Sequence, residues 1–150
     1  MKVASYDIVF QEIPEEVTLA LNISQCPCHC QGCHSPHLSE DIGEQLTTEL
    51  LSNLLDRYGT AITCVCIMGG DAVPDEVNSW LAYIHSLGKK SAWYSGRETK
   101  AAEVEDAHLD YLKIGPYDEE KGGLRQPTTN QRLFRRCDNE WVDITSLFWK

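Results

Sequence analysis

Apolar and polar positions alternate over 17–24 (VTLALNIS), which predicts a strand running into the loop that starts at Gln25. Residues 3–10 predict an earlier strand at a sheet edge. Leu46, Leu50, Leu51, Leu54, Leu55 and Tyr58 then recur at helical spacing. Thr47 is placed to cap that helix, Leu46 and Leu51 to form a hydrophobic staple, and Gly59 to end it. The continuous apolar run 61–68 (AITCVCIM) predicts a strand covered on both faces, and Gly69-Gly70-Asp71 follows it. A second helix is predicted from Pro74, with Val77, Trp80, Leu81 and Ile84 on its buried stripe and Gly88 just past its end. Residues 90–95 (KKSAWYS without its first lysine) read as the next strand, which ends in Ser95-Gly96-Arg97. A short helix is predicted over Glu98–Asp106 and a strand over Leu109–Gly115. Beyond Tyr117 the pattern breaks, and Arg132–Cys137 with Trp141–Ile144 reads as a hairpin turning at Asp138-Asn139.

Strand, loop and helix in repetition predict parallel strands with crossover helices. The chain is too short to close an eight-stranded barrel, which takes ~250 residues. The expected architecture is therefore α/β, an open partial (β/α) barrel with an irregular C-terminal segment and hairpin, in a single domain over 1–150. Ligands in such folds bind beyond the carboxyl ends of the strands. The cysteine loop, Gly69-Gly70-Asp71 and Ser95-Gly96-Arg97 should share that rim.

Composition narrows the function. The formal net charge is −10, with 13 basic residues. Such a surface repels phosphate backbones, so nucleic acid is not an expected partner. No run approaches the roughly 20 apolar residues that span a bilayer, and MKVASYDIVF does not read as a cleavable leader. The expected compartment is the cytoplasm, with no membrane contact. Thiols stay reduced there, and seven cysteines is an odd count, so a disulfide framework is not expected.

Four of those cysteines crowd into QCPCHCQGCH, residues 25–34. Structural zinc usually takes two short cysteine or histidine pairs from separate segments, and four ligands in eight residues wrap one small ion tightly. Cys26-x3-Cys30-x2-Cys33 instead suits a loop wound around an iron–sulfur cube, with three thiolates at three corners. One iron is then open for chemistry. Cys28 is expected to face away from the cube, into the protein. Cys64 and Cys66 share a face of one strand and read as small buried hydrophobes.

The Cys-x3-Cys-x2-Cys loop after a first strand resembles the signature of the radical S-adenosylmethionine enzymes. Met68-Gly69-Gly70-Asp71, one helix and one strand later, resembles their glycine-rich methionine-binding turn. With CPCHCQGCHSPH (26–37), the strand DYLKIGPY and Thr129–Arg132, the chain looks like the activating component of anaerobic ribonucleotide reductase over nearly its whole length. That resemblance implies a partial barrel of the radical S-adenosylmethionine type, with a [4Fe-4S] cluster on Cys26, Cys30 and Cys33 and S-adenosyl-L-methionine as cosubstrate. It also implies a glycyl radical installed on the large reductase subunit, with reduced flavodoxin or ferredoxin as electron donor. Gly69, Gly70 and Asp71 would receive the methionine ammonium, and Ser95 its carboxylate or the ribose. Gly32 stands where the superfamily often has an aromatic residue, so the adenine contact passes to its backbone or to His34. Asn130, Gln131 and Arg132 would line the partner groove. Ile114 and Ala72 replace an acidic residue and a proline of the usual pattern. Two other readings compete: a radical enzyme acting on a different glycyl-radical partner or a small molecule, and a non-enzymatic zinc-binding interaction module.

Overall fold

The computed structural model describes residues 1–149. Its strands are β1 (Lys2–Val9), β2 (Thr18–Ile23), β3 (Glu44–Gln45), β4 (Cys64–Met68), β5 (Lys90–Tyr94), β6 (Tyr111–Ile114), β7 (Arg132–Cys137) and β8 (Glu140–Asp143), with helices α1 (Thr48–Tyr58) and α2 (Pro74–Ser86). All eight strands join one sheet in the order β3-β1-β2-β4-β5-β6-β7-β8. Pairing is parallel from β2 through β4 and β5 to β6. It is antiparallel for β1 with β2 and β3, and for β6–β7 and β7–β8.

This overturns the expected partial barrel of the radical S-adenosylmethionine type. The chain is mostly β, a mixed sheet carrying only two short α-helices. Four of its strands lie in the antiparallel flanks, and the connection after β5 makes no α-helix. Glu98–Asp106, expected to be helical, is turns that lead into a 3-10 segment at Asp106–His108. Only Ala101 and Val104 of that stretch are buried, too little apolar surface to hold so short a helix. β1 is not an edge strand, because the two residues of β3 pair outside it. The tail hairpin extends the sheet beyond β6, turning on Asp138 and Asn139 at φ 50° and 66°, the left-handed pair of a two-residue hairpin.

Side-chain alternation explains how the sheet is covered. Leu19, Leu21, Ile23, Val65, Ile67, Trp93 and Leu112 face the helices and pack with Leu51, Leu54, Val77, Leu81 and Ile84. Thr47 caps α1 by accepting from the Leu50 N–H at 3.1 Å, a bond worth about 1 kcal/mol. The other face presents Cys64, Cys66, Ala92, Tyr111 and Leu133, and is closed without an α-helix by Ile13, Ile144, Leu124 and Phe148. Asn22, Met68, Tyr94 and Lys113 fall in register across the four parallel strands. They form a row at or one residue before the carboxyl ends, and the loops that follow them build the site. No described helix is long and apolar enough to cross a membrane.

Candidate functional site

The loop after β2 is wound tightly. Gln25 N–H bonds to Glu40 O at 3.0 Å and Cys26 N–H to Leu38 O at 2.9 Å, which closes its base. Gln25, His29 and Gly32 have φ of 60°, 47° and 74°. Left-handed backbone at Gln25 and His29 costs of order 1 kcal/mol each, the kind of strain that collects at functional sites. All four loop cysteines are free thiols; Cys26, Cys28 and Cys30 are half-buried and Cys33 is exposed.

Below the loop, a cavity of about 190 Å³ is lined by Cys26, Cys28, Cys30 and Cys33 from the loop, and by Met68, Gly69, Asp71, Tyr94, Ser95, Gly96, Lys113 and Gln131 from the sheet rim. A second hollow of about 220 Å³ on the loop is lined by Cys26, Cys30 and Cys33 with His29 and Ser35, but not by Cys28. The three cysteines singled out by spacing thus share two hollows, while Cys28 opens only to the inner one. Its Sγ donates to Asp71 Oδ2 at 3.7 Å. Burial, then the Asp71 carboxylate and the neighbouring thiols, push Cys28 up to about 12. In the metal-free chain it is thus held as a thiol that donates to Asp71.

Asp71 holds the rim together. It is 4% exposed. Its carboxylate accepts from Ser95 Oγ at 2.6 Å and from the Gly96 N–H at 2.9 Å, and Arg97 Nε lies 3.6 Å away. Arg97 also donates to the Asp71 carbonyl at 2.8 Å. The end of β5, the turn after β4 and the cysteine loop are tied to one side chain. Gly96 must be small, because a Cβ there would lie 2.6 Å from Cys28 Sγ.

Other expected site residues divide. Gly69 lines the cavity at φ 105°, with its carbonyl accepting from Trp93 Nε1 at 2.8 Å. Gly70, at φ 82°, turns inward; a Cβ would lie 2.6 Å from Val77 Cγ2 and 3.0 Å from Met1 Sδ. Gly32 is exposed beside Glu119. His34 sits on the outer rim, its Nε2 3.1 Å from Tyr117 Oη. Gln131 is buried at the cavity wall, with Nε2 3.4 Å from Gly115 O. Asn130 instead faces an acidic hollow with Glu98, Asp118, Glu119 and Glu120. Arg132 folds back onto the Thr129 and Gln131 carbonyls at 3.1 and 3.0 Å. The three do not form one groove.

Sequence reasoning did not name Tyr94, Tyr117 or Lys113 as site residues, and gave Met68 only as the first residue of the Met68-Gly69-Gly70-Asp71 turn. The signal for Met68, Tyr94 and Lys113 was there: each is the last residue of its strand whose side chain points to the non-helical face.

No three described His, Cys, Asp or Glu side chains are gathered closely enough to hold a single metal ion. A tetrahedral zinc with bonds of about 2.3 Å would need thiolates about 3.8 Å apart. A cluster meets its thiolates at separated corners. Three free thiols of one short loop, lining shared hollows, are the donor type a cluster takes. No family model, curated protein or solved structure matches the chain.

Proposed function

We propose that the chain is an iron–sulfur activase that uses S-adenosylmethionine to install a glycyl radical on the large subunit of anaerobic ribonucleotide reductase. One observation carries this reading. Cys26, Cys30 and Cys33 line the same 190 Å³ cavity as Gly69, Ser95, Lys113 and Gln131, residues brought from four separate strand ends. Cys26, Cys30 and Cys33 would hold the cluster. When bound, the [4Fe-4S] group supplies the electron that cleaves the cosubstrate to methionine and a 5′-deoxyadenosyl radical.

The chain's own residues position and enclose. Asp71 fixes the Ser95-Gly96 turn against the cysteine loop, and its buried carboxylate is already satisfied by chain donors. The work of meeting the cosubstrate's polar groups therefore falls to Lys113 and Gln131, while Gly69, whose N–H and carbonyl are bonded to Tyr94 O and Trp93 Nε1, allows close approach. Cys28 is turned to Asp71 and away from the hollow that Cys26, Cys30 and Cys33 share, so it would not compete with the cosubstrate for the cluster. Tyr94 and Tyr117 also wall a neighbouring hollow of about 400 Å³ with Leu124 and Phe148, where a segment of the partner protein would dock beside the cavity.

Anaerobic reconstitution tests the reading. It should load about four irons per chain, and reduction with S-adenosylmethionine should release 5′-deoxyadenosine. Retention of a large glycyl-radical subunit in an anaerobic pull-down tests the partner. A colourless protein that takes up one zinc and no iron would sink the proposal.

A further inference from the structure

Among the described residues, Lys113 is the only buried lysine or arginine, 8% exposed. Its Nζ donates to Ser95 O at 3.2 Å and Gly115 O at 2.9 Å, and lies 5.9 Å from the centre of the Tyr94 ring. It makes no ion pair within the described chain, and the Asp71 carboxylate nearby is engaged by Ser95, Gly96 and Arg97. Burial pulls the Lys113 pKa down, while Asp71, Cys30 and Cys28 favour its charged form. Two carbonyls and a ring face ease the desolvation of an ammonium but do not neutralise it. The cavity wall therefore carries a cation that has the Asp71 charge nearby but no ion-pair partner within the described chain, and it faces the cavity's contents.

We propose that Lys113 is a positioning residue whose ammonium is the counter-charge for the anionic iron–sulfur assembly on Cys26, Cys30 and Cys33, and that it makes this assembly easier to reduce. The inference rests on the cluster reading above. A fixed positive charge in a low-dielectric wall favours the more negative of two redox states. The step concerned is the uptake of one electron from an external reductant such as dithionite; no bond forms or breaks.

The test is Lys113→Met in the full chain, reconstituted anaerobically and followed by a redox titration. Methionine keeps the length and removes the charge. The expected midpoint is lower by at least 59 mV, the equivalent of a tenfold loss in the one-electron equilibrium. Lys113→Arg should stay near the wild type. In urea, the metal-free Lys113→Met chain should be at least as stable as the wild type, because an unpaired buried charge has been removed. A cluster that forms with an unchanged potential overturns the role of Lys113 and leaves the cluster reading standing. Metal-free Lys113→Met that is less stable, with unchanged potential, marks the lysine as a strand-end brace and overturns the proposal. If Lys113→Met does not fold, Lys113→Gln takes its place, and failure of both to fold also overturns it. A wild-type chain that takes up no cluster overturns both readings.

Discussion

Replacing Asp71 by asparagine separates two roles for the carboxylate: holding the rim or receiving a ligand. Ser95 Oγ already accepts the Arg97 N–H at 3.0 Å, so its own proton is the one given to Asp71 at 2.6 Å. Gly96 N–H is a donor as well. Both carboxylate oxygens therefore face donors. An asparagine must set its NH2 against one of them and gives up the charge near Arg97. Hydrogen bonds to charged groups contribute about 1.5–3 kcal/mol, and one acceptor survives the change. The expected loss is about 2–4 kcal/mol, a large part of the 5–15 kcal/mol that typically holds a domain folded. Urea unfolding of the metal-free chain reads it. With a slope of about 1–3 kcal/mol/M, the midpoint should fall by about 1–2 M with the slope unchanged. Ser95→Ala on both backgrounds closes a double-mutant cycle, whose coupling should be about 1 kcal/mol. A midpoint that does not move, together with weakened S-adenosylmethionine binding, would refute the reasoning. The carboxylate would then be a ligand group and not the clamp.

Gly70→Ala should destabilise by about 2–4 kcal/mol in the same assay, since it combines a left-handed backbone with a Cβ 2.6 Å from Val77. Glu16 accepts from Lys90, Tyr111 and Thr63 at 2.6, 2.8 and 2.5 Å. Burial raises its pKa, but those bonds outweigh burial and the net shift is downward from 4.5. Its contribution is thus present above about pH 4.5 and lost as the pH falls through the lower folded value. Glu16→Gln should cost about 2 kcal/mol near neutrality and flatten the fall in stability toward pH 3, as measured by denaturation at several pH values. Cys28→Ala should leave the iron content of the reconstituted protein unchanged, whereas Cys30→Ala should abolish it; equal loss in both would place Cys28 among the ligands.

Local signals carried much of the fold. The Thr47 cap, the buried stripe of α2 and the left-handed turn at Asp138-Asn139 each follow from residues within a few positions of one another. The architecture did not, because it depends on pairing between distant segments. Nothing in Arg132–Cys137 says that it will lie beside β6 and continue the sheet, and nothing in Phe10–Glu16 says that Ile13 will close the non-helical face. Alternation within a strand says which residues share a face; it does not say whether a helix or an irregular loop covers it. Glu98–Asp106 departs from the expected helix for a related reason, since helix-forming composition without a buried stripe does not hold one turn to the next.

The cysteine spacing and the two glycine-containing turns were legible as a site because parallel strands deliver their carboxyl ends to one side whatever flanks them. Lys113 was not, since a lysine in a strand reads equally well as an edge residue. Register decides it. Lys113 stands opposite Tyr94, which stands opposite Met68, so all three side chains point to the cavity side of the sheet. The antiparallel strands that displace the expected barrel also bear on the site. β7 pairs with β6, and the residue just before it, Gln131, reaches the same Gly115 carbonyl that Lys113 uses. The lysine is thereby walled off from solvent on the side where a further parallel strand would otherwise lie. The two buried charges of the rim then have opposite situations. Asp71 is bonded to chain donors and fixes the geometry, while Lys113 makes no ion pair within the described chain and is hydrogen-bonded only to backbone carbonyls, which leaves it the group able to respond to an anion in the cavity.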